Sequence, residues 1–291
     1  MNHIGFLGLG RMGAAISLRV ARSGSPIVVW NRTRLAPDSE LLSAGLTQAD
    51  SAAEALAAPV SFSMLADDSA ADAVLSRANI GAAAYGRVHV NLASVSAQMA
   101  DLLTRRFADA GVTYIAAPVL GRPEVAAEGA LNILVAGPQH AVAEVDPLLA
   151  FASVKRWYLG ESPRQANAVK VAMNFMLLHA LESMAEGIAL VEAEGVNGSD
   201  FVDLFTTTFF GGPIHRVYGR IIADRRYDPP GFTVALGLKD LSLAEQLAAE
   251  RRVELPTAPV LRARFETALA DPQLAGLDWS VIAELGRATA S

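Results

Sequence analysis

Short apolar runs alternate with helical stretches through the first half of the chain. "HIGFLGLG" is followed by "RMGAAISLRVARSG", and "PIVVW" by "LAPDSELLSAG". "VSFSML", "RVHVNLA", "VTYIAAP" and "ALNILVAG" continue the apolar series, with helical segments such as "SAQMADLLTRRFADAG" between them. Strands with nearly continuous apolar character, separated by helices, predict a parallel sheet covered on both faces. "VKRWYLG", residues 154–160, reads as the last strand of that sheet.

After Gly160 the pattern changes. "SPRQANAVKVAMNFMLLHALESMAEGIALVEAEG" predicts one helix of about 30 residues, far above the usual length. The remainder of the chain is helical too, broken by "GGP" at 211–213 and "PPG" at 229–231. The expected fold class is α/β: a doubly wound N-terminal sheet over residues 1–162, then an all-α domain over 163–291. No internal repeat or low-complexity tail complicates this division.

Composition narrows the function. Hydrophobic residues make up 52% of the 291, enough for a sizeable core, and the net charge is −6. A mildly acidic chain without a basic run has no broad attraction for nucleic acid or anionic membrane. With no Cys, disulfides, thiolate chemistry and Cys-ligated zinc are excluded, and no metal site is expected. The most apolar segment, "VAMNFMLLHAL", lies between Lys170 and Glu182 and is shorter than the roughly 20 residues a bilayer requires. No secretory pattern precedes the first strand, so a soluble cytoplasmic protein is expected.

"GLGRMG" sets Gly8, Gly10 and Gly13 in a G-x-G-x-x-G pattern between a strand and a helix. In that context each glycine has its own reason: Gly8 for a tight turn, Gly10 for approach of a pyrophosphate, Gly13 for close helix packing. The phosphates of a dinucleotide would lie at the helix N-terminus, against Leu9, Arg11 and Met12. The alternative is a tight turn without a ligand. At the end of the second strand, where a carboxylate commonly bonds the ribose 2′-hydroxyl, the chain reads Asn31, Arg32, Thr33, Arg34. A guanidinium fork suits a 2′-phosphate, so NADPH/NADP+ is expected over NADH. A basic surface turn is the alternative.

Lys170 and Asn174, in "NAVKVAMNF", are four residues apart, which on a helix brings them within roughly 40° of each other. They form one polar spot on an apolar helix. His179, Glu182 and Glu186 fall away from it and read as structural or solvated. A lysine in a dry site is costly unless paired, and desolvation moves its pKa toward neutrality, which suits a proton donor. A lysine snorkelling to the domain edge is the bland alternative.

Six segments in order, "IGFLGLGRMG", "NRT", "APVLGRP", "GALNILVAG", "NAVKVAMNF" and "FTVALGLKDLSLA", resemble the β-hydroxyacid dehydrogenases. These are relatives of 3-hydroxyisobutyrate dehydrogenase, tartronate semialdehyde reductase and the glyoxylate/succinic semialdehyde reductases. The resemblance implies a Rossmann-like N-terminal domain, an all-helical C-terminal domain and an active site in the cleft between them. By the same resemblance Lys170 is catalytic, Asn174 orients the substrate, and Lys239 lies near the nicotinamide. Met64 and Leu65, at the end of "VSFSML", would touch the dinucleotide, and Ser94, in "NLASVS", would lie on the nicotinamide side. Leu120, Gly121, Arg122 and Phe232 would meet the substrate. Asp240 reads as a capping or pairing residue.

The chain also departs from the family. Where the substrate loop usually reads D-A-P-V-S-G-G, Ala116, Leu120 and Arg122 replace the Asp, the Ser and the second Gly. Leu120 removes a hydroxyl donor, while Arg122 either restores carboxylate binding or points to solvent. The expected activity is hydride transfer between nicotinamide and a small aldehyde, keto acid or hydroxyacid, with Lys170 as general acid/base. The alternatives are an imine or bulkier carbonyl reductase of the same architecture and a non-catalytic NADPH-binding sensor or scaffold. The long apolar helix predicts a homodimer through the helical domain.

Overall fold

The computed structural model describes residues 3–81 and 86–287. The chain divides into two compact units, Met1–Lys170 and Val171–Ser291.

The first unit opens with β1 (Ile4–Leu7), α1 (Arg11–Ala21), β2 (Ile27–Trp30), α2 (Glu40–Ser43), β3 (Thr47–Gln48) and α3 (Ala52–Leu56). Next come β4 (Val60–Ser63), α4 (Asp68–Val74), α5 (Arg77–Ile80), β5 (Val88–Asn91), α6 (Ala97–Asp109) and β6 (Thr113–Ala116). The six strands lie in the order β3-β2-β1-β4-β5-β6, and every neighbouring pair is parallel. All residues of β1 and β5 are buried; β1 accordingly reads as an apolar run without alternation, while β5, "VHVN", buries two polar residues among its valines. The chain winds outward from β1 in one direction and, from β4 on, in the other. The strand ends at this reversal, Leu7 and Ser63, are paired, and a doubly wound sheet opens its crevice at such a point.

The rest of the first unit departs from the expected single sheet. β7 (Val119–Leu120), α7 (Pro123–Glu128), β8 (Leu131–Val135), α8 (Gln139–Leu149) and β9 (Ser153–Tyr158) build a separate three-stranded sheet, ordered β7-β8-β9. β7 runs antiparallel to β8, and β8 parallel to β9. Only Ala117 and Pro118 separate β6 from β7. A parallel neighbour needs a crossover of a dozen or more residues, so the chain bends instead, and one antiparallel bridge, Ala116 to Ala136, joins the sheets. Arg156 of β9 is tied to Asp146 of α8 through both carboxylate oxygens, at 2.9 Å each.

α9 (Pro163–Ala193) is one helix of 31 residues, matching the length expected, and the division between the units falls within it. In the second unit it is succeeded by α10 (Gly198–Thr208), α11 (Pro213–Ala223), α12 (Val234–Arg251), α13 (Ala258–Ala270) and a 3-10 segment, Trp279–Gly286. Leu178, Leu181, Met184, Ala185 and Ile188 share one side of α9 and join a core with Phe265, Trp279 and Ile282. Met176 and Leu190 stay about two-thirds exposed on other sides, at 67% and 70%. His179 bonds the Phe175 carbonyl and Thr257, and Glu182 pairs with Arg264 at 2.7 Å, so both are structural. No helix among the described residues is long and apolar enough to cross a membrane, and none of the described His, Asp and Glu residues form a metal-holding group.

The core of the first sheet holds a polar chain. Asn91 Oδ1 accepts from the Ala93 N–H at 3.1 Å and from the Ser63 hydroxyl at 3.2 Å. A backbone N–H can only donate, so this fixes the amide orientation, and Asn91 Nδ2 donates to Tyr114 Oη at 3.0 Å. With its one proton given to Asn91, Ser63 accepts from His89 Nε2 at 2.9 Å. His89 Nδ1 therefore accepts from the Ser61 hydroxyl at 2.8 Å. The imidazole is neutral, stacked on Phe107 at 4.6 Å, and burial pushes its pKa from 6.5 down to about 3. Below pH 6.5 the unfolded chain takes up a proton that native His89 refuses, so its contribution to stability falls as the pH drops toward 3. In urea unfolding compared with His89→Gln, the wild-type protein is expected to lose up to about 1.4 kcal/mol per pH unit across that window and nothing above it. A pH-independent difference would show that His89 is not held neutral.

Candidate active site

The three glycines of the loop meet different surroundings. Gly8 has φ +89°, and a Cβ there would fall 2.4 Å from the Met64 carbonyl oxygen. At Gly13 a Cβ would fall 1.9 Å from the Gly8 carbonyl oxygen, whereas at Gly10 it would meet nothing within 4 Å. Two glycines thus close the backbone on itself, and the third leaves an open cradle. Gly10 is the N-cap of α1, so the N–H groups of residues 11–13 point out of its first turn into that cradle. A pyrophosphate fits this arrangement of glycine and helix N-terminus. The side chains of Leu9 and Met12 pack on the core.

Met64 and Leu65 are brought to the same place. The Met64 N–H donates to the Leu7 carbonyl at 2.8 Å, and Leu65 Cδ2 lies 3.1 Å from where a Gly8 Cβ would be. Asn31 braces the loop: its Oδ1 accepts from the Leu9 N–H at 3.1 Å, and its Nδ2 donates to the Thr33 carbonyl at 3.0 Å. One amide thereby ties the glycine loop to the turn carrying Arg32 and Thr33. Arg34 is committed to Asp50. Arg32 and Thr33 are exposed, and among the described residues the Arg32 side chain has no hydrogen bond or ion pair.

Ser94 lies in the loop after β5. It is half-exposed, while every other residue from 88 to 97 is buried. At the end of β7, Leu120 packs against the core cluster that includes Leu134 and Ala166. Gly121 has φ +146°, and a Cβ would lie 2.6 Å from Leu131 Cδ2, so this bend requires glycine. Arg122 is the N-cap of α7, half-buried with its Nε shielded from solvent, and so does not simply extend into water. Arg11 pairs with Glu124 of α7 at 3.0 Å, linking the glycine loop to the segment after Arg122.

α9 carries Lys170 and Asn174 on one face, as its pitch requires. Lys170 is half-buried, and Met173, three residues on, is 43% exposed. In the second unit Asn174 Nδ2 donates to Asp240 Oδ2 at 2.6 Å, and Asp240 is 3% exposed. A carboxylate only accepts, so it fixes the amide with its nitrogen toward Asp240. Lys239 Nζ lies 3.9 Å from Asp240 Oδ1. Phe232 stands edge-on to Trp279, with ring centroids 4.6 Å apart, and its N–H bonds Asp278.

Sequence reasoning missed two residues near these. Glu124 carries no motif and pairs only through the fold. Asn167 is 1% exposed, and among the described residues neither of its amide atoms has a hydrogen-bond partner. Its spacing of three from Lys170 and seven from Asn174 puts it on their helix face, a signal that was there to be read.

Comparison with known proteins agrees along the whole chain. Residues 3–160 match the NAD binding domain of 6-phosphogluconate dehydrogenase, and residues 165–285 match the family described as NAD-binding of NADP-dependent 3-hydroxyisobutyrate dehydrogenase. An uncharacterized oxidoreductase, YfjR, of Bacillus subtilis is 34% identical over 96% of this chain and 98% of its own length. Glyoxylate/succinic semialdehyde reductase 1 of Arabidopsis thaliana is 28% identical over 97% of each. The structure of Mycobacterium tuberculosis 3-hydroxyisobutyrate dehydrogenase with L-serine superposes with a TM-score of 0.86 at 25% identity, covering 99% of this chain and 100% of that one. With both halves matched in order, the chain belongs to the β-hydroxyacid dehydrogenase family and is an NAD(P)-dependent oxidoreductase acting on hydroxyl or carbonyl groups.

Proposed function

We propose that the protein is an NADPH-dependent reductase of small aldehydes or keto acids, also able to oxidise the corresponding hydroxyacids, with Lys170 as its general acid/base. The observation that carries this reading is the α9 face: Lys170 one turn from Asn174, whose amide is held at 2.6 Å by the buried Asp240. NADPH, when bound, supplies the hydride. Gly10 and the first turn of α1 hold the pyrophosphate, Met64 and Leu65 line the dinucleotide, and Ser94 and Lys239 serve its nicotinamide end. As negative charge develops on the carbonyl oxygen, the Lys170 ammonium stabilises it and donates a proton, and in oxidation Lys170 takes that proton back. Asn174 orients lysine and substrate. Leu120, Gly121, Arg122 and Phe232 contact the substrate, Arg122 through its carboxylate.

Each part of this reading has its own test. Arg32, an exposed cation with no side-chain partner among the described residues, favours the 2′-phosphate, so Arg32→Ala should weaken NADPH binding while barely changing that of NADH. Wild-type protein with the higher kcat/KM on NADH would refute this preference.

If Arg122 holds a carboxylate, Arg122→Gly should raise KM for glyoxylate and succinic semialdehyde and spare neutral aldehydes of similar size. Equal effects on both classes would remove Arg122 from the substrate site.

Lys170→Met keeps length and loses charge. It should retain the fold and NADPH binding and lower kcat by about 10² or more, the usual scale of general acid–base catalysis. Lys170→Arg should not restore activity, because a guanidinium does not give up its proton near neutral pH. Near wild-type kcat in Lys170→Met would make the lysine structural.

A further inference from the structure

Ser94 is the one half-exposed residue in an otherwise buried stretch from 88 to 97. Its loop is pinned on both sides. Downstream, the Ser96 N–H donates to Asp68 Oδ1 at 2.9 Å, and the Ser96 hydroxyl accepts from the Met99 N–H at 3.0 Å, capping α6. Upstream, the Ala93 N–H donates to Asn91 Oδ1 at 3.1 Å. Ala93 is 1% exposed, so water has little access to take the place of that acceptor. Asn91 is in turn immobilised by Ser63 and Tyr114, and Tyr114 is stacked on Phe107 at 5.5 Å. The stretch "NLASVS" resembles the family's D-x-S-T-x-S, which carries an aspartate at this position. A carboxylate could accept from Ala93 and Ser63 but could not donate to Tyr114 as the amide does.

We propose that Asn91 is a positioning residue, whose side chain sets residues 92–95 so that Ser94 is presented to the nicotinamide end of the bound dinucleotide. The assignment rests on the NADPH reading above. Asn91 itself touches no reacting atom; it acts through the Ala93 N–H. The opposite end of the cofactor is held by other elements, the turn at Asn31–Thr33 and the first turn of α1. Loss of the Asn91 acceptor should therefore disturb nicotinamide placement and leave adenosine binding alone.

The test separates the two ends. NADPH binding is monitored by its own nicotinamide fluorescence, and 2′,5′-ADP, which lacks the nicotinamide, by displacement. Asn91→Leu has similar volume and no acceptor. It should reduce kcat at saturating NADPH by about tenfold and weaken NADPH binding, while the Kd for 2′,5′-ADP stays within about twofold. Asn91→Asp keeps the acceptor for Ala93 and should recover most of the loss. Tyr114→Phe keeps the ring stack and removes the acceptor for Nδ2, so it should shift the same quantities in the same direction by less; it decides the matter if Asn91→Leu does not fold. Wild-type kcat and NADPH affinity in a folded Asn91→Leu, or no change in Tyr114→Phe where the leucine variant fails to fold, would overturn the proposal. Equal weakening of NADPH and 2′,5′-ADP would overturn it too, by making the effect a general one. Wild-type protein that binds neither compound would overturn the cofactor reading and this assignment with it.

Discussion

The first unit is organised around a place where backbone meets backbone. A Cβ at Gly13 would sit 1.9 Å from the Gly8 carbonyl oxygen, and one at Gly8 would sit 2.4 Å from that of Met64. No side chain can be inserted at either contact without moving a strand or a helix. The first contact fixes where α1 begins relative to β1, and the second fixes where β4 ends beside them. The open space at Gly10 is what remains between these two closures. The braces around it, Asn31 to Leu9 and Arg11 to Glu124, make sense only because α1 has been set there first.

Much of this was legible in the sequence because it is local. Gly8 takes a positive φ and Gly13 closes on the carbonyl of Gly8 five residues before it, both facts of the local chain, and α9 announces itself by a long apolar run without Pro or Gly between Gln165 and Glu186. The pair Lys170 and Asn174 results from helical pitch alone. The features that were not legible depend on partners distant in sequence. The break after β6 turns on how few residues precede β7, and apolar strand patterns are the same in one sheet or two. Asp240 was expected to pair, but its partner could not be named, since Asn174 is 66 residues away. The pairing of Glu124 becomes visible only when α7 lies against α1, and the chain from Ser61 to Tyr114 only when the strands lie side by side.

The buried polar chain shows how a parallel sheet can carry polar groups at little cost. Each of Ser61, Ser63, His89, Asn91 and Tyr114 has a partner, and the direction of the four side-chain bonds that link them follows from one backbone N–H at Ala93. Such a network has a single arrangement, in contrast to hydroxyls and amides that exchange roles freely. It also explains why "VHVN" and "VSFS" contain polar residues at positions that a purely apolar core would fill with valine. The same side of the sheet receives Phe107 and Leu103 from α6, so the polar chain is sealed from water by ordinary hydrophobic packing.

The separation between Lys170 and Asn174 is set by the pitch of an unbroken helix, and neither loop length nor strand register enters into it. Substitutions elsewhere in either unit can therefore raise or lower stability without altering that separation. For protein engineering this means that the residues lining the substrate can be varied widely while the spacing of the two polar groups on α9 is inherited intact. The change to avoid is one that would kink the helix between them: the exposed Ala172 and Met173 should tolerate exchange among good helix formers, the buried Val171 only among apolar residues, and none of the three should tolerate proline.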